Sequence, residues 1–171
     1  MRFSLRCTIQ ELAQLARRYQ ARYPGEDDEL QVLKETVASR GYLTKEELRA
    51  VARWKSPRSA WRVDANSEEY VRELTRFALS AETQRARIEI LTLLDGVQWP
   101  TASVVLHFFH PEPYPILDFR ALWSVSVDEP NQYRFDFWWQ YVQYCRNIAQ
   151  QAQLTMRELD QGLWEYSSEN Q

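Results

Sequence analysis

Apolar residues recur along most of the chain at spacings of three and four, the period of a helix with one buried face. Leu12, Leu15, Ala16 and Tyr19 share one such face. Thr8, with Glu11 three residues on, has the spacing of a capping box, so the first helix is predicted to start there. The stretch Tyr23-Pro-Gly-Glu-Asp-Asp ends it. A second helix is predicted over 28–39, stopped by Gly41. A third starts at Thr44 with Glu47 as capping partner and Leu48, Val51 and Ala52 on its apolar face. Pro57 ends it, because the residue before a proline is pushed out of helical geometry. Ser67 caps the next helix, which presents Tyr70, Val71, Leu74, Phe77 and Ala78. Further helices are predicted over 81–94, broken at Asp95-Gly96, and from Pro100, a residue suited to the first helical turn. The loop His110-Pro-Glu-Pro-Tyr-Pro then leads to a helix over 119–125, an aromatic helix over 135–150, and a last one from Thr155. There Glu158 takes the capping-box place and Leu159, Leu163 and Trp164 follow. No segment alternates convincingly with the period of a strand. The pattern predicts an all-α fold of about eight helices, a single compact unit over 1–171 that could be two-lobed.

Composition supports this picture. Hydrophobic residues make up 44% and aromatic residues 13%, enough for a core, while only 4 glycines argue against a turn-rich β architecture. There is no charged-then-apolar leader and no run long enough to span a bilayer, so a cytoplasmic chain without a membrane segment is expected. Cys7 and Cys145 could pair, but two buried free thiols are the expected state in a reducing compartment. Two Cys and two His without ligand spacing predict no metal centre and no cofactor.

Charge complicates any nucleic-acid reading, since the net charge is −3. Its distribution is uneven. From Lys34 to Arg62 there are eight basic residues against three acids, and from Asp128 onward seven acids against three arginines. Such asymmetry could turn one face toward a polyanion, although both stretches also suit ordinary solvated helix surfaces.

The most informative segment is 88–125: helix at about 81–94, tight turn at Asp95-Gly96, helix to about 109, proline loop, and an acid-capped helix at about 118–125. A glycine in such a turn lets backbone amides approach a phosphate closely. Leu94-Asp-Gly-Val-Gln-Trp-Pro-Thr-Ala102 resembles the hairpin of the helix-hairpin-helix DNA glycosylases, whose pattern is Leu-Pro-Gly-Val-Gly-x-x-Thr-Ala. Gly96, Val97, Thr101 and Ala102 match; Asp95 stands in the proline place and Gln98 replaces the second glycine. In that family the catalytic aspartate follows the Thr-Ala after a helix and a loop and caps the next helix. Asp118, in Ile-Leu-Asp-Phe-Arg-Ala-Leu, follows Ala102 with fifteen residues between. The resemblance covers about forty residues and makes 81–109 the helix-hairpin-helix. It implies DNA as partner, DNA contacts at Gly96, Val97, Gln98, Trp99 and Thr101, and a base-excision role for Asp118. Bifunctional members carry a lysine directly before the Thr-Ala; here Pro100 stands there, which excludes an amine nucleophile at that position.

The remaining clusters carry less. Arg53-Trp-Lys-Ser-Pro-Arg58 could hold DNA through Arg53, Lys55 and Arg58, with Trp54 stacking on a base. It reads more readily as a helix end whose cations complement the dipole and whose Trp anchors the core. Trp54 and Trp99 are the two tryptophans least like core and thus the candidates for a base pocket. His107 and His110 read as surface or loop-packing residues, and the aromatics of 135–144 as core. Three functions follow from these residues: a monofunctional DNA glycosylase using Asp118 and water, a non-catalytic helix-hairpin-helix DNA-binding protein, or a helical protein–protein module. The oligomeric state is not legible in the sequence.

Overall fold

A computed structural model describes residues 2–171. Among the described residues there are ten α-helices, two 3-10 helices and no strand, the all-α class that the helical period predicts. In chain order they are α1 (Ile9–Arg22), α2 (Asp28–Gln31), α3 (Lys34–Arg40), α4 (Lys45–Lys55), a 3-10 helix (Pro57–Ala65), α5 (Glu68–Ser80), α6 (Gln84–Glu89), a 3-10 turn (Ile90–Leu93), α7 (Trp99–Phe109), α8 (Phe119–Ser124), α9 (Phe135–Ala152) and α10 (Met156–Asn170).

The count exceeds eight for local reasons. The predicted helix over 28–39 divides at Val32-Leu33, where Val32 is 74% exposed and has no core to hold the turn in register. Pro57 does end α4, but its fixed φ also opens the 3-10 helix that follows, an element without a readable period. The helix predicted over 81–94 starts only at Gln84. Thr83 caps it by accepting the Ala86 amide, and its last turn tightens to 3-10 geometry. The three capping boxes at Thr8, Thr44 and Thr155 form as their spacing predicts.

The chain divides into two units. The first combines the residues up to Glu26 with Pro113–Gln171 and holds α1, α8, α9 and α10. Its spine is α1 lying along α10, and α1 buries the predicted Leu12, Leu15, Ala16 and Tyr19. Gly162 makes this approach possible: a Cβ there would sit 2.9 Å from the Leu12 carbonyl oxygen. The extended N-terminal segment closes the end of α8, with the Ser4 and Arg6 amides donating to the Val125 and Ser124 carbonyls. Both cysteines are free thiols; Cys145 is buried, but Cys7 lies partly open rather than inside the core.

The second unit is Asp27–Glu112 and holds α2 to α7 with both 3-10 helices. Its central element is α7, which buries every residue from Thr101 to Leu106. A helix apolar on all sides must lie inside. On α5 the predicted apolar face is narrower than its period suggests. Val71, Leu74 and Ala78 are buried, while Tyr70 and Phe77 stay partly in solvent and Thr75 takes an inner position. No helix of the described residues is long and apolar enough to cross a membrane.

Candidate functional site

The turn between the two helices of the proposed hairpin forms, and its glycine is required by packing. Gly96 has φ +78, in the left-handed region that favours glycine. A Cβ there would meet the Val63 amide nitrogen at 2.8 Å and the Arg62 Cβ at 2.9 Å, so the turn is pressed onto the 3-10 helix Pro57–Ala65. Asn66 secures the contact. Its side-chain amide donates to the Asp95 carbonyl, and its carbonyl oxygen accepts from the Asp95 amide, each at 2.9 Å. The Val97 amide donates to the Leu94 carbonyl at 3.0 Å. The Val97 amide, one of those expected to face a phosphate, is therefore already engaged inside the protein, as is the neighbouring Asp95 amide.

The other residues singled out around the turn separate by exposure. Val97 is fully buried and Thr101 is 5% exposed, so their side chains build the turn and do not reach a ligand. Gln98, the N-cap of α7, is exposed, and Trp99 and Pro100 are half-buried at the start of that helix. Pro100 sits in the first turn, where its missing N–H costs no helical bond.

The basic segment is not a uniform field. Arg53 pairs with Glu29 at 2.6 Å on an exposed surface, Arg49 with Asp64 at 2.8 Å, and Arg40 with Glu47. Trp54 is half-buried and meets Phe108 edge to face with ring centres 5.4 Å apart, as a core anchor does. Lys55 is half-buried at the end of α4, and Arg58 is exposed on the 3-10 helix. His110 caps the end of α7, and its Nδ1 accepts the Glu112 amide. It borders an apolar hollow with Val37, Leu79, Phe108 and Pro111.

In the first unit, Asp118 is the N-cap of α8. Its extended φ and ψ aim the carboxylate back along the helix, and Oδ1 accepts the Arg120 amide at 2.9 Å. The side chain is half-buried. The loop that delivers it is fixed by buried polar groups. The Ile116 amide donates to both carboxylate oxygens of Asp160 at 3.2 Å, and the Tyr141 hydroxyl donates to the Ile116 carbonyl at 3.3 Å. Arg146 donates to the Pro113 carbonyl at 2.8 Å. Tyr114 stacks on Trp138 with centroids 5.6 Å apart.

Electrostatics tie these groups together. Burial pushes the Tyr141 phenol well up, and the charges of Asp160 and Asp118 add to the effect. Burial also raises the Cys145 thiol, with Asp160 contributing. Tyr133 is raised by burial, then by its hydrogen bond to Glu129, with the Asp118 charge adding a smaller push. Burial, the largest cause at both, thus favours the protonated form of the two phenols.

Sequence reasoning missed Asp160, Tyr141 and Asn66. Asp160 had a readable signal: it falls four residues after Met156 and three before Leu163, on the apolar stripe of α10, where an acid must have a buried partner. Asn66 gave none, because an Asn before an N-cap serine reads as loop. Comparison of the chain with protein-family models, curated proteins and solved structures finds no match.

Proposed function

We propose that the chain is a DNA N-glycosylase-like enzyme, monofunctional, in which Asp118 directs water to the anomeric carbon of a nucleotide. The observation that supports this best is the fixing of Asp118: a half-buried carboxylate at a helix N-cap, on a loop pinned by Asp160, Tyr141 and Arg146. The Gly96 turn and Thr101-Ala102 before it belong to the same resemblance. In the reaction the bond from the sugar carbon to the base nitrogen breaks, and its electron pair leaves with the base, which takes up a proton from solvent. The sugar carbon becomes electron-poor, and the carboxylate of Asp118 offsets that charge. Water adds to the carbon and gives its proton to Asp118. The base must leave the stack before any of this. Pro100 offers no amine, so no Schiff base forms from that position.

A second reading has one observation in its favour. The Oδ1 cap bond to the Arg120 amide by itself accounts for an aspartate at this position, as in a DNA-binding protein without chemistry. Base release from a panel of damaged and modified duplexes decides between the two. Asp118→Asn keeps the size and capping ability of the side chain, and is expected to lower the rate by about 10²-fold or more with DNA binding retained. No adduct should be trapped by borohydride. Binding without release of any base would leave only the second reading, and an adduct trapped through Lys55 would overturn the mechanism.

A further inference from the structure

The second unit contains nine arginines, and their partners single out one place on its surface. Arg40, Arg49, Arg53, Arg72, Arg85 and Arg87 each pair with a carboxylate. Arg76 lies over the ring of Tyr42. Arg58 and Arg62 pair with no carboxylate among the described residues, and both are exposed. Between them on the same 3-10 helix stands Trp61, 66% exposed, among the most exposed large apolar side chains of the protein. The Arg62 guanidinium lies over its ring at 5.8 Å. Asp64, the acid of this helix, is bonded to Arg49. The backbone of this same helix meets the Gly96 turn at Arg62 and Val63.

An indole costs free energy to leave in water, and two uncompensated cations beside it attract an anion. A planar apolar face flanked by cations fits a ligand that alternates flat bases with phosphates. We infer that Trp61, Arg58 and Arg62 form a stacking site for an unpaired nucleotide of single-stranded or locally opened DNA, with the ring taking the base and the guanidinium groups the adjacent phosphates. A bilayer surface fits less well, since Trp61 is the sole large apolar side chain exposed on this helix. The inference deepens the DNA-directed reading and depends on it only for the ligand being nucleic acid.

The test is the fluorescence anisotropy of a labelled oligothymidine titrated with the full chain, beside a blunt duplex of equal length and vesicles of anionic phospholipid. Trp61→Ala is expected to weaken oligothymidine binding by about tenfold. The Arg58→Gln, Arg62→Gln double variant should flatten the dependence of affinity on salt by about one to two in logarithmic slope. Arg53→Gln, whose arginine is already paired, should leave both nearly unchanged. Circular dichroism and melting of the exposed-site variants should match wild type. Equal oligothymidine binding by wild type and Trp61→Ala would overturn the inference, as would no binding at low salt, or Trp61-dependent binding to vesicles in preference to DNA. The two readings fail separately. Trp61-dependent binding without base release removes the glycosylase reading alone, and base release that needs Asp118 but not Trp61 removes the stacking site alone.

Discussion

The two units solve the same problem, a turn that delivers a helix, with different materials. In the second unit the turn before α7 is held by backbone contact: Gly96 against Arg62 and Val63, with one neutral amide, Asn66, bonding Asp95. Its buried polar residues (Asn66, Thr75, Thr101 and Ser103) are all uncharged, and six of its nine arginines pair with carboxylates. In the first unit the loop before α8 is held by a buried carboxylate, and a second carboxylate, Glu165, is buried under α1 beside Arg22 at 3.0 Å. Close backbone packing tolerates no added atom and is indifferent to pH. Buried charge tolerates small changes of shape but responds to protonation and to the loss of any one partner. A scaffold of the second kind carries the loop that ends at the Asp118 cap of α8.

The largest effect should come from the sterically closed turn. Gly96→Ala puts a Cβ into the Val63 backbone and forces a left-handed φ on a residue that resists it. The two costs together are about 2–4 kcal/mol, read as a lowered denaturation midpoint. A loss well under 1 kcal/mol would show that the turn can lift off the 3-10 helix, and the contrast between the units would weaken.

Next comes the buried acid. Asp160→Ala leaves the Ile116 amide without its carboxylate. An unsatisfied buried donor costs about 1–3 kcal/mol, and hydrogen exchange at Ile116 should accelerate more than at Val97. Equal exchange at the two sites would show that Asp160 does not hold the loop.

A smaller, pH-dependent effect is expected at Glu165. Burial holds its carboxyl above the ordinary range, opposed by Arg22 and supported by Glu169. The folded value is raised, so the protonated form contributes stability that is complete below the unfolded pKa and is lost as pH rises through the folded one. Glu165→Gln stays neutral, so its melting temperature relative to wild type should climb across that window and then level off. A relative stability that falls with rising pH would mean that the Arg22 pair outweighs burial. Smallest of all should be Arg53→Gln. The Arg53–Glu29 pair has side chains 48% and 53% exposed, and thermal melting should register a change within about 0.5 kcal/mol.

Much of the scaffold was legible in the sequence. The threonine caps, the buried stripe of α1, the break at Asp95-Gly96 and the capping place of Asp118 all follow from side chains acting within one or two helical turns, where composition and spacing decide the outcome. The division of 28–39, the 3-10 helix after Pro57 and the outward turn of Phe77 were not legible, since each depends on what lies opposite in space. The same distinction runs through the candidate sites. The sequence alone determined that Asp118 caps a helix and that Pro100 carries no amine, because these are properties of the residue and its neighbours. Only the tertiary structure decided that Gly96 serves a packing contact with Arg62 and Val63, that Arg53 pairs with a carboxylate while Arg58 and Arg62 meet none among the described residues, that Trp54 faces Phe108 while Trp61 faces water, and that Asp160 holds the Asp118 loop. Those outcomes hang on contacts between residues up to dozens of positions apart, and no local period records which distant partner neutralises a charge or covers a ring.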